Sequence, residues 1–250
     1  MIKQAIIPLA GLGTRLLPLT SVFAKELLPI NGKPGLEYIL DECKEAGIKE
    51  IIFIISSKKK IIKNYYYNDK FFKKILTKKK DKRILSEYKK ILKYKKMIKF
   101  VYQNKPLGTG DAVLKTKNLI KDNFFLMLLP DDIIVKRNCS KDMIKIHNKR
   151  KSAVMASMKV SKNNVSRWGI YSVKSKINKK NFIIKDVIEK PKIKYAASNN
   201  AVIGRYILPK IIFTKLKKLN KGKDGEIHIT DAIKKLIYEG NEFIGHNFVG

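Results

Sequence analysis

Strand-like and helix-like segments alternate along the first half of this chain, and this alternation restricts its fold more than any other feature. Pro34 precedes a set of apolar residues at helical spacing and Gly47 follows them, as expected at the two ends of a helix. Apolar runs typical of buried strands occupy residues 3–9, 50–55, 98–102 and 124–129. Strands that alternate with helices predict an α/β fold with a mainly parallel mixed central sheet flanked by helices.

The second half of the chain continues this pattern. Strand-like runs occur at residues 153–160, 168–173 and 182–189, and helices are expected at about 209–218 and 230–239. No internal repeat and no Gly/Ser-rich linker interrupts the sequence. We therefore predict one continuous domain over residues 1–250, with a basic helical segment at 56–99 inserted between two strands of the sheet.

The composition favours a folded protein outside the membrane. Of the 250 residues 44% are hydrophobic and 30% charged, which is unlike a disordered chain. No apolar run reaches the roughly 18 residues that a membrane-spanning helix needs. The N-terminus has neither the apolar stretch nor the cleavage site of a signal peptide. We expect a cytoplasmic protein that does not associate with membranes.

The net charge of +34 allows two interpretations. A selected basic surface would bind a polyanion such as nucleic acid, and residues 56–99 hold 18 basic but only three acidic side chains. Alternatively, an AT-rich genome would enrich Lys, Ile and Asn together, which occur 49, 36 and 17 times. Only six of the basic residues are Arg, the residue that nucleic-acid surfaces favour for bidentate contacts, so we expect no specific nucleic-acid partner. The segment 56–99 is either a set of helices with a solvated basic face or a low-complexity stretch.

The cysteines and histidines do not predict a zinc site or a disulfide. Cys43 and Cys139 are far apart in sequence and form no CxxC motif, so we expect two buried, unreactive thiols. No HExxH motif occurs, and we interpret His147, His228 and His246 as structural or surface residues.

The loop after the first strand is the strongest candidate for ligand binding. Gly11 and Gly13 allow close approach of the backbone, and successive N–H groups in such a turn can bind a phosphate. Arg15 and Lys25 add positive charge. A dinucleotide GxGxxG motif would need glycine at Leu16, and no P-loop occurs, so a tight turn with surface cations is the alternative.

An acidic pair, Asp131 and Asp132, follows the strand at 124–129. Ligands of open α/β sheets bind at the carboxyl ends of the strands, so the acidic pair and the Gly-rich loop are expected to share a crevice. Two surface acids at the end of a strand are the alternative.

Residues 10–29, AGLGTRLLPLTSVFAKELLP, closely resemble the signature of the sugar-nucleotide pyrophosphorylases, with Ala24 in place of the usual proline. Later segments resemble the bacterial UTP–glucose-1-phosphate uridylyltransferases among them. These segments are KELLPINGKPGLEYILDE at 25–42, QNKPLGTGDAVL at 103–114, LLPDDII, SRWGIYSV, VIEKP, SNNAVIGRY and GEIHITDAI. Thr109 and Asp111 depart from that pattern, which has Leu and His at these positions.

The resemblance implies a Rossmann-like nucleotidyltransferase fold and a reaction. Glucose 1-phosphate would attack the α-phosphorus of UTP in line, giving UDP-glucose and pyrophosphate, and the protein would act mainly by positioning and charge neutralisation. A non-catalytic or weakly active nucleotide-sugar-binding relative is the first alternative, and a basic nucleic-acid-binding protein is the second.

The resemblance also assigns roles to residues. Gln103, whose amide has a donor and an acceptor, would read the N3–H and O4 edge of uracil. Asp131 would hold Mg²⁺, which prefers hard oxygen ligands. The catalytic set would be Arg15, Lys25 and Asp131, and the sugar-binding set Asp132, Gly169, Glu189 and Lys190. The nucleotide-binding set would be Ala10, Gly11, Gly13, Thr14, Glu26, Gln103 and Gly108.

The family pattern continues past the position of Gly250 with an aromatic-Asp-Cys-Gly segment and further helices. The resemblance implies that this segment supplies a second metal carboxylate and that the helices form an oligomer interface. From the 250 residues alone we therefore expect reduced catalysis, and a homo-oligomer is possible but doubtful.

Overall fold

The computed structural model describes residues 2–67, 70–79, 81–222 and 224–248. The helices are α1 (Gly35–Glu45), α2 (Lys60–Tyr67), α3 (Lys70–Lys79), α4 (Lys82–Leu92), α5 (Gly108–Leu114), α6 (Cys139–Arg150), α7 (Ile212–Leu216) and α8 (Ile229–Tyr238). The strands are β1 (Gln4–Pro8), β2 (Pro29–Ile30), β3 (Lys33–Pro34), β4 (Glu50–Ile55), β5 (Ile98–Tyr102), β6 (Phe124–Leu128), β7 (Ala153–Lys159), β8 (Gly169–Lys176), β9 (Asn181–Glu189), β10 (Asn200–Pro209) and β11 (Phe243–Asn247).

Nine of these strands form a single mixed sheet in the described part of the chain, in the order β5-β4-β1-β6-β10-β7-β11-β9-β8. The first four strands in this order, β5, β4, β1 and β6, are parallel to one another. β10 runs antiparallel to both β6 and β7, and β9 runs antiparallel to β11 and β8. The predicted α/β fold with a mixed sheet and flanking helices is confirmed.

The central strands are buried on both faces, which is why they appear in the sequence as continuous apolar runs. Ile6 and Ile52 point to one face, where they pack with α5, α7 and α8. Ile7 and Phe53 point to the other face, where they pack with α1 and α6. Cys43 and Cys139 are free and buried in this second layer, as predicted, and burial raises the pKa of both thiols.

Three helices, α2 to α4, lie between β4 and β5 in the chain. Ile62 and Tyr66 of α2 are fully buried, while Lys60 and Lys63 on the same helix are exposed. Asp81 begins α4 by accepting hydrogen bonds from the backbone N–H groups of the next turn. Residues 68, 69 and 80 of the predicted basic segment lie outside the described residues.

The predicted strands are confirmed with ends shifted by a few residues, but β10, β11 and the two-residue strands β2 and β3 were not predicted. β10 has Gly204 and Arg205 in its middle, which interrupt the apolar run. The expected helix at 209–218 is wrong at its start, because Pro209 still belongs to β10 and α7 covers only Ile212–Leu216. None of the helices within the described ranges has both the length and the apolar character needed to span a bilayer.

Candidate active site

Two cavities adjoin at the carboxyl ends of the parallel strands. The first, here the β1–β5 cavity, has a volume of about 240 Å³ and is lined by the loops after β1, β5 and β6. The second, the β8–β9 cavity, has a volume of about 640 Å³ and is lined mainly by residues around β8, β9 and β10. Leu129 and Asp131 line both cavities. The Gly-rich loop and the acidic pair therefore meet at one edge of the sheet.

Lys25 and Asp131 form an ion pair at this junction. Lys25 Nζ lies 3.1 Å from Asp131 Oδ2. The Asp131 side chain is 64% exposed and the Lys25 side chain 21% exposed. Both charged groups are thus accessible from the cavities, where a ligand could exchange with either of them.

The Gly-rich loop divides its residues between the two cavities. Ala10 and Gly11 line the β1–β5 cavity, whereas Arg15 reaches the β8–β9 cavity. Gly13 has a φ of 72°, a left-handed conformation that favours glycine, and its carbonyl accepts a hydrogen bond from Thr20 Oγ1 at 2.9 Å. Gly13 and the exposed Thr14 line neither cavity.

Glu26 lines the β1–β5 cavity but its carboxylate is already paired. Lys59 Nζ donates to both carboxylate oxygens, at 2.7 and 2.9 Å. The Glu26 side chain is 1% exposed and the Lys59 side chain 10% exposed. Burial lowers the pKa of Lys59 below its usual value, although the adjacent Glu26 carboxylate opposes this shift.

Gln103 lies on the wall of the same cavity, close to the start of α5. Its Nε2 donates to Asp111 Oδ2 at 2.8 Å and to the Gly108 carbonyl at 3.0 Å. Gly108 has a φ of 91°, and a Cβ there would lie 2.6 Å from the Ile227 carbonyl oxygen, so glycine is required for this close approach. The amide NH₂ of Gln103 is engaged within the protein, which leaves Oε1 to contact a ligand.

Asp132 is held more rigidly than Asp131. Its Oδ2 accepts a hydrogen bond from the Gly204 N–H at 2.6 Å, and burial raises the pKa of its carboxyl group above the usual value. A Cβ at position 204 would lie 2.7 Å from that oxygen and 2.5 Å from Leu129 Cβ. Gly204 therefore allows β10 to pack directly against residues 129–132, here called the acidic turn.

The β8–β9 cavity contains the remaining predicted residues. Gly169 is paired with Glu189 across the two strands, and a Cβ at Gly169 would lie 3.2 Å from Glu189 Oε2. Lys190 Nζ is 3.9 Å from Glu189 Oε1, and Asp132 lines the same cavity. A carboxylate, an ammonium group and Arg15 thus surround a polar space that could accept hydroxyl and phosphate groups.

The family model described as nucleotidyl transferase matches residues 4–250. The chain belongs to the nucleotidyl transferase family. The family membership indicated by the sequence motifs is thereby confirmed.

Relatives of this nucleotidyl transferase cover most of its length. It is 35% identical over 251 residues to a UTP–glucose-1-phosphate uridylyltransferase of Mycoplasma pneumoniae, covering 100% of this chain and 86% of the relative. It is 35% identical over 236 residues to a UTP–glucose-1-phosphate uridylyltransferase of Bacillus subtilis, covering 94% of this chain and 80% of the relative.

Solved structures give the same classification. A UDP-glucose pyrophosphorylase complexed with UDP-glucose superimposes with a TM-score of 0.86 at 32% identity, covering 100% of this chain and 92% of that one. A UTP-bound enzyme from Acinetobacter baumannii gives a TM-score of 0.89 at 32% identity, with coverage of 100% and 87%.

Three residues that organise the site of this nucleotidyl transferase were not predicted from the sequence: Lys59, which pairs with Glu26, and the buried pair Glu42 and Arg205. Lys59 follows β4 at the carboxyl edge of the sheet, a position that could have drawn attention to it. Arg205 donates to the Leu129 carbonyl at 3.2 Å and to the Asp132 carbonyl at 2.7 Å, so it holds both ends of the acidic turn. A charged residue in the middle of the largely apolar run AVIGRYIL at 201–208 was the available signal.

Enzymes of the nucleotidyl transferase family generally use a divalent metal ion. Within the described residues, one group of at least three potential metal ligands occurs, formed by Asp224, Glu226 and His228. This group does not include Asp131. His228 Nε2 lies 2.8 Å from Asp224 Oδ2, which accounts for the proximity of those two side chains.

Proposed function

We propose that this protein transfers the uridylyl group of UTP to glucose 1-phosphate in the cytoplasm, forming UDP-glucose and pyrophosphate. The observation that supports this most strongly is the meeting of the two cavities at Lys25 and Asp131. A nucleotide in one cavity and a sugar phosphate in the other would bring their phosphates together at that point. The names of the relatives identify uridine and glucose as the two groups.

The β1–β5 cavity would hold the uridine end of UTP. Gln103 would accept a hydrogen bond from the base, and Ala10 and Gly11 would lie along the nucleotide. Open space surrounds Gly11, where an added Cβ would find no atom within 4 Å, so a ligand can approach its backbone closely. Glu26 contributes to this side through the shape of the wall, since Lys59 occupies its oxygens.

The β8–β9 cavity would hold glucose 1-phosphate. Glu189 and Asp132 can accept hydrogen bonds from sugar hydroxyl groups, and Lys190 can approach the sugar phosphate. Gly169 keeps the space beside Glu189 free of a side chain. Arg15 borders this cavity and would bind the phosphates that leave as pyrophosphate.

Asp131 is the residue that fits a divalent metal ion, and we propose Mg²⁺. Mg²⁺ takes one or two protein carboxylates and completes its coordination with water and substrate phosphates. The exposed Asp131 carboxylate at the junction of the cavities satisfies this requirement, and the buried neighbouring Asp132 could support it. When bound, the metal would neutralise phosphate charge.

Lys25 would stabilise the charge that grows on the reacting phosphoryl group. Before substrate binds, the Lys25 ammonium group is held by Asp131 at 3.1 Å. A phosphate at the junction would offer a second anionic partner, so the ammonium group can turn to it without crossing the cavity. This arrangement keeps the cation in place for in-line transfer.

The test is a panel of nucleoside triphosphates and sugar 1-phosphates, assayed for pyrophosphate release with Mg²⁺ and with a chelator. UTP with glucose 1-phosphate should be the preferred pair, and the chelator should stop the reaction. Asp131→Asn should lower turnover by about 100-fold or more, equivalent to ~2.7 kcal/mol in the barrier.

Glu239→Gln is the matched control for Asp131→Asn. Glu239 is 49% exposed and accepts a hydrogen bond from Lys215 at 2.7 Å, but it lines neither cavity. The turnover of the Glu239→Gln variant should equal that of the parent protein. Turnover within about threefold of the parent for Asp131→Asn would remove Asp131 from the metal site.

A further inference from the structure

Asp111 lies directly behind Gln103 on the wall of the β1–β5 cavity. Both residues are buried, at 6% exposure each. Gln103 Nε2 donates to Asp111 Oδ2 at 2.8 Å and to the Gly108 carbonyl at 3.0 Å. Asp111 is also a position at which the chain departs from the family pattern.

These two partners determine which way the Gln103 amide faces. A carboxylate and a backbone carbonyl only accept hydrogen bonds, so the NH₂ group must point towards them. Rotating the amide by half a turn would place Oε1 against two acceptors and leave buried polar groups unsatisfied. A hydrogen bond to a charged acceptor is also stronger than one to a neutral group.

Oε1 is therefore the group of Gln103 that remains for a ligand. Among the residues that the structure describes, none donates a hydrogen bond to it. Gln103 lines the cavity together with Gly108, Thr109 and Glu226. The cavity wall thus presents a fixed hydrogen-bond acceptor at this point.

A fixed acceptor distinguishes between pyrimidine bases. Uracil has a donor at N3, which can pair with Gln103 Oε1. Cytosine has an unprotonated acceptor at N3, which would face Oε1 without a proton between them. A site built around a single buried hydrogen bond discriminates strongly against a ligand that lacks the required group.

We propose that Asp111 is a positioning residue that fixes Gln103 as a hydrogen-bond acceptor and so makes the site selective for bases with an N3–H group over cytosine. This inference rests on the proposed function, because it requires the base of a nucleotide to enter the β1–β5 cavity. Asp111 acts through Gln103 and does not touch the base.

The first experiment measures the binding of UDP, CDP and N3-methyl-UDP to the unaltered protein by calorimetry, without turnover. UDP should bind about tenfold or more tightly than either of the other two. If N3-methyl-UDP or CDP binds within about threefold of UDP, Gln103 does not act as a fixed acceptor and the proposal is overturned.

The second experiment compares variants. In Asp111→Asn, the new amide can donate through its own NH₂ group, so only the Gly108 carbonyl still opposes rotation of the Gln103 amide. The ratio of UDP to CDP affinity should fall about tenfold or more, partly through tighter binding of CDP. In a Gln103→Ala background, Asp111→Asn should leave the ratio unchanged, because Asp111 then has nothing to position.

Glu50→Gln provides a closely matched control. At the amino ends of β1 and β4, another glutamine amide donates to a carboxylate and to a backbone carbonyl. Gln4 Nε2 donates to Glu50 Oε1 at 2.7 Å and to the Leu119 carbonyl at 2.8 Å. Glu50→Gln should leave the UDP to CDP ratio at the parental value. A change equal to that of Asp111→Asn would mean a general effect on stability and would overturn the proposal.

The outcomes separate this inference from the proposed function. Pyrophosphate release from UTP with an unchanged base ratio in Asp111→Asn would overturn the inference alone. A UDP preference that depends on Asp111, in a protein that releases no pyrophosphate, would overturn the proposed reaction alone. If Asp111→Asn does not fold, the measurements on the parent protein still test the fixed acceptor that the proposal requires, and binding of N3-methyl-UDP within about threefold of UDP overturns it.

Discussion

Arg205 and Glu42 form an ion pair that is buried between β10 and α1. Arg205 Nε lies 3.0 Å from each Glu42 oxygen, and Nη2 lies 2.8 Å from Oε2. Glu42 also accepts hydrogen bonds from the backbone N–H and the hydroxyl group of Ser140. The remaining guanidinium donors hold the carbonyls of Leu129 and Asp132. One buried network thus joins the protein core to the acidic turn of the site.

Arg205→Met should destabilise the protein by about 3–5 kcal/mol, because it leaves the Glu42 carboxylate buried without its cation. Urea unfolding measures this loss. Arg137→Met is the control, since Arg137 is 52% exposed and pairs with Asp142 at the surface, and it should cost less than ~1 kcal/mol. Equal losses in the two variants would show that the Arg205 network does not stabilise the fold.

Lys25→Ala should lower kcat more than it weakens the binding of UDP-glucose. The ammonium group interacts most strongly with charge that develops on the reacting phosphorus, so its loss affects the transition state more than the ground state. Steady-state kinetics and product titration measure the two effects separately.

Lys215→Ala controls for the loss of a lysine as such. The Lys215 side chain is 21% exposed, as is that of Lys25, and it is paired with Glu239. Its kcat should match that of the parent. If Lys25→Ala reduces kcat and product affinity by the same factor, Lys25 is a binding residue only.

Lys59→Met should destabilise the protein by about 3 kcal/mol or more, since both Glu26 oxygens lose their charged partner in a buried environment. The double variant Lys59→Met with Glu26→Gln should recover part of the loss, because the unpaired charge is removed as well. Chemical unfolding of the single and double variants gives the coupling between the two residues. Lys99→Met, which removes a surface ion pair with Glu50, should cost less than ~1 kcal/mol. Additive effects of the two substitutions would contradict a stabilising pair.

The free energy of unfolding should fall as the pH decreases below about 6.5. Burial lowers the pKa of His147, opposed by its hydrogen bond with the Ser152 carbonyl, and burial also lowers the pKa of His246. The unfolded state then binds more protons than the folded state in this range, so stability rises with pH, by at most about 1.4 kcal/mol per pH unit for each histidine. Urea unfolding at constant ionic strength between pH 5 and 8 measures the slope. His147→Gln and His246→Gln should each reduce it, and an unchanged slope in both variants would exclude these histidines as its source.

Much of the fold could be predicted because the local signals agree with the tertiary structure. β1, β4 and β6 are almost completely buried on both faces, so their sequences are largely continuous apolar runs. β10 was missed because its buried charge at Arg205 is compensated by Glu42, 163 residues earlier in the chain. No local pattern reveals a partner at that separation.

The alternating architecture and the candidate residues of the site could be recognised in the amino-acid sequence, since strand periodicity, glycine positions and charged residue types are local properties. The pairing of these residues became visible only in the folded chain. There, Glu26 is held by Lys59, Asp111 orients the Gln103 amide, and Arg205 supports the acidic turn. The physical reason is that hydrogen-bond direction and the desolvation of charge depend on atoms brought together from distant parts of the chain.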